Sequence, residues 1–327
     1  MSPLPETAGP AVYVLHENPD WIPPFQAAFD LEGVPLKEWS LTSGSIDLSQ
    51  PPPEGVFWSR LSASSHTRGN PFAKDYARAV LRWLEAAGRR VINGSEVLEL
   101  EVSKVAQHLA LSSARIEVPR TVAVFGRADL SDRAREFTPP FITKHNQGGK
   151  GLGVRRFDSH AEFDTYVGGG EFEESADDIT LLQEYLTAAE PCITRVEFIG
   201  GRFAYAVRVD TAAGSFELCP AEACAVPAQG FAPAACEVPG TGAENSLFRR
   251  REDIDAHTPL IVELEALLAA TGIEIAGVEF IETTDGRLVT YDVNTNTNYN
   301  PAVEAAEEIS AARRVARFLG NELSLLR

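Results

Sequence analysis

Residues Phe141–Val154 read FITKHNQGGKGLGV, a short strand-forming run that ends in a lysine and continues into a glycine-rich loop. Glycines allow a backbone to come close to a phosphate group and to point its N–H groups at it. The loop contains Gly148, Gly149, Gly151 and Gly153. Lys144 stands at the end of the predicted strand and Lys150 lies inside the loop, so both can reach phosphate oxygens. The stretch therefore predicts a phosphate-binding loop between two strands.

Two better-known phosphate loops do not fit this stretch. The Gly-Lys pair is followed by Gly151, where a Walker A loop has Ser or Thr. The loop also returns to a strand at Val154–Phe157, whereas the dinucleotide-binding fingerprint opens a helix. A flexible hairpin that carries lysines by chance remains the alternative, because glycine-rich loops are common connections.

Acidic and amide side chains cluster in two strands near the C-terminus. The two predicted strands are Ile275–Glu282, which contains Glu279, and Leu288–Asn294, which contains Asp292 and Asn294. Residues two apart in a strand face the same side, and a hairpin through Asp285-Gly286 would bring the strands together. Carboxylate and amide oxygens are the ligands that Mg²⁺ prefers. Solvent-facing positions are the alternative, but Asp and Asn are poor strand formers, and a carboxylate in an apolar run needs a partner.

The chain divides into three units by its strand and helix signals. Strands and helices alternate over residues 1–95, which predicts a small α/β domain with a largely parallel sheet. A central unit, 96–186, contains the glycine-rich loop and a helix predicted at Val102–Leu111. The third unit, 187–327, is richer in antiparallel signals, including a hairpin at Gly200-Gly201 and a final helix at Val303–Leu319. The fold class is therefore α/β, with an α+β C-terminal part.

Composition excludes several functional classes. The 327 residues carry a net charge of −18, and an acidic surface disfavours nucleic acid and anionic membranes. No apolar run reaches the length of a membrane span, and the N-terminus lacks the pattern of a signal peptide. The four cysteines are unevenly spaced and fit neither a disulfide scaffold nor a zinc site. We therefore expect a cytoplasmic protein.

In their order along the chain, these motifs resemble the ATP-grasp superfamily and, within it, the RimK-like ligases. The resemblance covers nearly the whole chain. It includes Ser103-Lys104, Lys144 before GGKGLGV, LLQEYL, TRVEFIGGRFAYAVRVD, GVEFIE and YDVNTN. It implies an ATP-grasp fold with an N-terminal α/β domain and ATP held between the central and C-terminal domains.

The resemblance also implies a role for each matched residue. Lys104, Lys144 and the loop Gly148–Gly153, including Lys150, would bind the ATP phosphates. Adenine would be bound by Gln183, Glu184, Tyr185 and Leu186, with Glu184 accepting from the exocyclic amine. Arg195 and Arg208 would face the phosphates and the reacting carboxylate. Mg²⁺, with Mn²⁺ as an alternative, would be held by Glu279, Asp292 and Asn294.

Three departures from the family pattern concern the metal and the substrate. Asp292 stands where the family usually has Glu, and Thr194 where RimK-type enzymes tend to have an acid. The metal strand continues as Thr-Asn-Thr-Asn-Tyr-Asn-Pro, in place of a small-residue and Pro-Gly segment that often meets substrate. Substrate-binding candidates are therefore Asn296 and Asn298 here, and Arg60 and Arg68 after a strand of the first domain. A solvated polar loop is the equal alternative for the two arginines.

The implied reaction joins a carboxylate to an amine, either of which belongs to an amino acid or a peptide. ATP would convert the carboxylate to an acyl phosphate and leave as ADP, with no covalent protein nucleophile. A nucleotide-binding regulatory protein with the same fold is one alternative, and an ATP-grasp kinase or carboxylase is another. Assembly into a homo-oligomer is left open.

Overall fold

The computed structural model describes residues 9–149, 151, 153–211, 247–305 and 307–326. Its strands, in chain order, are β1 Ala11–His16, β2 Leu36–Ser40, β3 Gly55–Arg60, β4 Arg90–Ile92, β5 Thr121–Phe125, β6 Phe141–His145, β7 Arg155–Phe157, β8 Ile179–Glu184, β9 Cys192–Ile199, β10 Arg202–Asp210, β11 Phe248–Arg250, β12 Ile275–Glu282 and β13 Leu288–Asn294. Its α-helices are α1 Pro23–Glu32, α2 Ala73–Ala86, α3 Ser95–Glu101, α4 Lys104–Ser113, α5 Leu130–Ala134, α6 His160–Gly168, α7 Pro259–Thr271, α8 Pro301–Glu304 and α9 Ala311–Ser324. Short 3₁₀ turns lie at Pro19–Trp21 and Ser65–Arg68.

The first sheet is parallel throughout and has the order β2-β1-β3-β4. Its central strands β1 and β3 are buried along their whole length, since helices cover both faces. Helix α2 packs on one face through Val80, Leu81 and Leu84. Helix α1 packs on the other face, and α9 from the end of the chain joins it there through Val315 and Leu319. The predicted parallel α/β unit is confirmed, and the C-terminal helix completes its core.

The middle sheet is antiparallel, with the order β5-β8-β6-β7. Helices α5 and α6 cover one face, where an aromatic cluster forms around Phe141, Phe157 and Phe163. The rings of Phe157 and Phe163 meet edge to face at 4.9 Å between centroids. The opposite face of this sheet is left for the site described below.

The third sheet is antiparallel, with the order β11-β10-β9-β12-β13. The predicted hairpin between β9 and β10 is present, and Gly200 and Gly201 both adopt positive φ there, 63° and 69°. Strands β12 and β13 have the predicted bounds and pair with each other. Helix α7 packs on one face against Val196, Val278 and other apolar side chains.

Two helices differ from their predicted bounds. The helix expected at Val102–Leu111 begins at Lys104, because the Ser103 side chain accepts the N–H of Ala106 and caps it. The single final helix expected at Val303–Leu319 is two helices, α8 and α9, and the Ser310 side chain caps the second. Within the described residues, no helix is both long and apolar enough to cross a membrane.

Candidate active site

One face of the third sheet collects polar side chains that are almost fully enclosed. Glu279 lies directly opposite Arg195 of β9 on one side and Asp292 of β13 on the other. Because side chains alternate along a strand, Glu197 and Asn294 share this face. The intervening residues face α7 and form an apolar core: Val196, Phe198, Val278, Phe280 and Val293. The alternation thus separates a polar site from the core.

Two lysines reach this polar face from other parts of the fold. Lys104, the first residue of α4, forms an ion pair with Asp292. Lys144, in β6, donates from Nζ to the carbonyl oxygen of Tyr291 at 3.2 Å. The structure thereby brings together both predicted phosphate-binding lysines and two of the predicted metal ligands.

Electrostatics in this cluster favour the charged forms of Lys104 and Asp292. Burial opposes both charges, but the two groups stabilise each other, so the pKa of Lys104 is raised and that of Asp292 lies below its usual value. The carboxylates of Asp292 and Glu279 also favour the charged form of Lys144, but they do not outweigh the opposing effects. Burial, together with repulsion from Lys104, lowers the pKa of Lys144 to about 8. A phosphate group beside Lys144 would further favour its protonated form.

Arg195 is fixed by protein groups on three of its nitrogens. It donates from Nε to Glu197 Oε1 at 2.6 Å, from Nη1 to Glu279 Oε1 at 2.8 Å and from Nη2 to Thr297 Oγ1 at 2.7 Å. Arg195 therefore lies beside Glu279 and orients it. Sequence reasoning missed Glu197, although the signal was the same as for Glu279: a carboxylate within an apolar strand.

Arg208 is not brought to this cluster. Residues that pair across strands point to the same face of a sheet. Arg208 pairs with Thr194, and Thr194 pairs with Phe280, which faces α7, so Arg208 lies on the α7 face. Its guanidinium forms an ion pair with Glu190. The expectation that Arg208 faces the phosphates is therefore wrong for this structure, because its position in β10 differs by one residue from those that face the site.

A narrow cleft lies between the middle and third sheets. Its lining combines the two lysines with apolar and small polar side chains: Lys104, His108, Leu111, Val118, Pro119, Thr121, Lys144, Leu181, Gln183, Thr290 and Tyr291. Apolar side chains thus lie beside the two lysines in this cleft. Sequence reasoning did not select Thr121, Thr290 or Tyr291, which carry no distinctive pattern.

Among the residues predicted to bind adenine, Gln183 lines the cleft and Glu184 faces away from it. Glu184 pairs with Phe141 of the aromatic core, and its Oε1 accepts the backbone N–H of Arg120 at 2.8 Å. The expectation that its side chain accepts from the exocyclic amine is therefore wrong here, since strand alternation turns it outward. Tyr185 and Leu186, both half-buried, follow β8 directly, and the Tyr185 ring packs against Arg156.

The glycine-rich loop follows β6, the strand that contains Lys144. Gly153 has φ 67°, and a Cβ there would stand 2.1 Å from the His145 ring, so only glycine fits. Gly151 also has positive φ. Gly148 is buried, and Gly149 lies close to Ser64 of the first unit. Lys150 lies outside the described residues.

The four substrate-binding candidates occupy different environments. Arg60 is the last residue of β3 and is fully buried, not part of a solvated loop. Its Nη2 donates to Asn298 Oδ1 at 2.8 Å. Arg68 forms an ion pair with the buried Glu17, and Asn296 is half-buried.

The donor set on β12 and β13 fits a hard divalent cation. Glu279 and Asp292 are directly opposite, and Asn294 Nδ2 lies 3.4 Å from Asp292 Oδ2, so its amide group is adjacent. These groups offer carboxylate and amide oxygens, the ligand types of Mg²⁺. No cluster of three His, Cys, Asp or Glu side chains suited to a metal occurs in the described ranges. The third donor would accordingly be the Asn294 amide.

Comparisons with known proteins give relatives at low sequence identity. No protein-family model matches the chain. A "Probable alpha-L-glutamate ligase" of Xanthomonas campestris pv. campestris (strain 8004) is 26% identical over 239 residues, which are 72% of this chain and 69% of that protein. The protein of the same description from Xanthomonas axonopodis pv. citri (strain 306) is 24% identical over 239 residues, 72% of this chain and 68% of its own.

Solved structures share the fold over almost the whole chain. A RimK domain ATP-grasp protein from Sphaerobacter thermophilus superimposes with a TM-score of 0.64 at 16% identity, covering 94% of this chain and 98% of its own. D-alanyl-alanine synthetase A from Vibrio cholerae superimposes with a TM-score of 0.63 at 12% identity, covering 97% of this chain and 100% of its own. D-cycloserine synthetase DcsG superimposes with a TM-score of 0.61 at 15% identity, covering 96% of this chain and 100% of its own. At these identities the structures support the fold alone.

Proposed function

We propose that this chain, which is an ATP-grasp carboxylate–amine ligase of the RimK-like type, binds ATP and Mg²⁺ in the cleft between its middle and third sheets. One observation carries the assignment of the site. Lys104, Lys144, Glu279 and Asp292 come from four separate elements and converge on the same polar face. Two cations beside two carboxylates are what a polyphosphate with a bound divalent cation requires.

The lysines would hold the terminal phosphates. Lys104 is paired with Asp292, and it would exchange that partner for a phosphate, which would leave Asp292 free to ligate the metal. A phosphate would also add negative charge beside Lys144 and favour its protonated form. The glycine-rich loop would add backbone N–H donors, and Gln183, which lines the cleft, would contact the base. Mg²⁺ held by Glu279, Asp292 and Asn294 would neutralise charge on the phosphates.

The chemistry that this arrangement supports is transfer of the terminal phosphoryl group. A substrate carboxylate oxygen attacks the γ-phosphorus, the bond to the β-phosphate oxygen breaks, and an acyl phosphate and ADP result. The nitrogen of an amine then attacks the acyl carbon, phosphate leaves, and the amine loses a proton to give the amide. The cationic side chains stabilise charge that develops on the phosphates and do not bond covalently to substrate.

Glutamate is the first reactant to test. The relatives that are named alpha-L-glutamate ligases motivate this choice. Structural neighbours described in complex with precursor peptides motivate a peptide as the second reactant. We therefore propose an amino acid or peptide on each side of the bond, and a cytoplasmic setting.

The test is a screen for nucleotide turnover that depends on substrate. The protein is incubated with ATP, Mg²⁺, glutamate and a panel of amino acids and peptides, and nucleotide products are separated. We expect ADP and phosphate only when a suitable acid is present, and a hydroxamate of that acid when hydroxylamine replaces the amine. AMP and pyrophosphate as products would contradict the proposal and indicate an adenylating enzyme. A stable phosphorylated product would indicate a kinase, and bicarbonate dependence a carboxylase.

A further inference from the structure

The segment that follows the proposed metal strand is held by two side chains from earlier in the chain, Glu101 and Arg60. Glu101 Oε2 accepts both the backbone N–H and the hydroxyl of Thr295, each at 2.8 Å. Arg60 donates from Nη2 to the carbonyl oxygen of Thr297 at 2.7 Å and to Asn298 Oδ1 at 2.8 Å. The segment therefore takes its position from residues about two hundred places earlier in the chain.

Arg60 is enclosed by aromatic side chains. It is completely buried, and its guanidinium lies over the rings of Phe25, Trp58 and Trp21 at 4.3, 5.0 and 5.7 Å from their centroids. Burial lowers the pKa of Arg60 to about 10, so it remains protonated at neutral pH. A buried charge needs hydrogen-bond acceptors, and the residue 297–298 segment provides two. Moving that segment would leave the charge poorly compensated.

The other side of Thr297 faces the proposed active site. Its hydroxyl accepts from Arg195 Nη2 at 2.7 Å and donates to Glu197 Oε2 at 2.9 Å. Arg195 in turn donates to Glu279 at 2.8 Å. Consecutive hydrogen bonds thus run from Arg60 through Thr297 and Arg195 to a proposed metal ligand, and Thr297 is only 1% exposed.

We propose that Arg60 is a positioning residue that holds Thr297 so that Arg195 presents Glu279 to the metal and phosphates. Glu279's role is part of the proposed function, so this inference rests on it. This positioning role takes the place of the earlier expectation that Arg60 binds substrate directly. A fully buried guanidinium covered by aromatic rings offers no surface to a substrate. The segment that departs from the family pattern then links the first sheet to the catalytic face.

The first experiment measures Mg²⁺-dependent binding of a non-hydrolysable ATP analogue by calorimetry. Thr297→Val keeps the shape of the side chain and removes the hydroxyl, so we expect affinity to fall by about threefold to tenfold. Thr297→Ser keeps the hydroxyl and should retain most of the wild-type affinity. Arg60→Lys should weaken binding by a similar factor, and the double variant Arg60→Lys/Thr297→Val should lose little more than either single variant, since both break one linkage.

Additive losses, or unchanged affinity in folded Arg60→Lys, would overturn the inference. If Arg60→Lys fails to fold, Asn298→Ala replaces it, because it removes one acceptor of the same guanidinium. A variant whose only defect is a higher KM for the acid would show that Arg60 contacts substrate, which also overturns the positioning role.

A second readout does not depend on nucleotide. Arg195 Nε–H is bonded to Glu197 at 2.6 Å in a buried setting, so its exchange with solvent, followed by NMR on ¹⁵N-arginine-labelled protein, should be slow. Faster exchange in Thr297→Val and Arg60→Lys, but not in Thr297→Ser, supports the linkage. Unchanged exchange in all three contradicts it. If the wild-type protein binds no nucleotide but the variants still change the Nε–H exchange as expected, the proposed function is wrong. The hydrogen-bonded linkage through Arg195 is then present without a role in nucleotide binding.

Discussion

The guanidinium of Arg195 lies over Gly277, and a methyl group at position 277 would stand 2.4 Å from its Nη2 atom. A contact this short is not tolerated, so any side chain at 277 would displace the arginine. Gly277 lies opposite Glu197 and Asn294 in the sheet. The glycine is therefore required by a neighbouring side chain and not by its own backbone angles.

Gly277→Ala should weaken Mg²⁺-dependent nucleotide binding by about tenfold or more, since displacing Arg195 breaks at least one charge-assisted hydrogen bond. Calorimetric titration with a non-hydrolysable ATP analogue measures the effect. Gly168→Ala is the matched control, because a Cβ there has no atom within 4 Å and the residue lies at the end of α6. Equal affinities in the two variants would show that the position of Arg195 does not matter for binding.

Nucleotide affinity should decline as pH rises above about 8. Lys144 is largely protonated below its pKa of about 8 and loses its charge above it, whereas a bound phosphate favours the protonated form. Binding at pH 9 should therefore take up close to one proton, which calorimetry in buffers of different ionisation enthalpy detects. Lys144→Arg, always charged, should bind without this uptake. Lys144→Ala should lose most of its nucleotide affinity while remaining folded. Wild-type affinity in this variant would show that Lys144 does not bind nucleotide.

Asp292→Asn should abolish Mg²⁺-dependent turnover, because it removes an anionic ligand from a hard-cation site. It also removes the charge that compensates buried Lys104, so the free energy of unfolding should fall by up to about 3 kcal/mol. Urea denaturation gives the second quantity. Asp292→Glu keeps the charge and should retain Mg²⁺ dependence. A wild-type rate and metal response in Asp292→Asn would place the metal elsewhere.

The amides of residues 148–153 should gain protection from hydrogen exchange when ATP and Mg²⁺ bind. Glycine has little conformational preference, so phosphate contacts must provide the ordering energy of this loop. Mass spectrometry of exchanged peptides with and without nucleotide tests this. The peptide that covers α9, which packs against the first sheet, is the control. Equal protection of the loop in both states would argue against phosphate binding there.

Much of the site could be predicted from local patterns. Period-two alternation in β12 and β13 predicted that Glu279, Asp292 and Asn294 face one side, and the strands have the predicted bounds. Where the prediction failed, single-residue register decided the outcome. Arg208 and Glu184 lie in the expected strands, but each faces away from the cleft. A motif match identifies the strand more reliably than the face on which a side chain lies. A shift of one residue moves every side chain of a strand to the opposite face of the sheet.

The sequence by itself determined most of the strands and helices, the glycine turns and the clustering of acids on a β-hairpin. Each of these depends on residues that are close together in the chain, so short-range periodicity and backbone preference are enough to encode them. Only the tertiary structure decided which distant groups meet. Lys104 and Asp292 are 188 residues apart, Arg60 and Thr297 are 237 apart, and α9 covers a sheet formed by the first hundred residues. Such contacts follow from how whole elements pack around shared cores, and packing depends on all of their side chains at once.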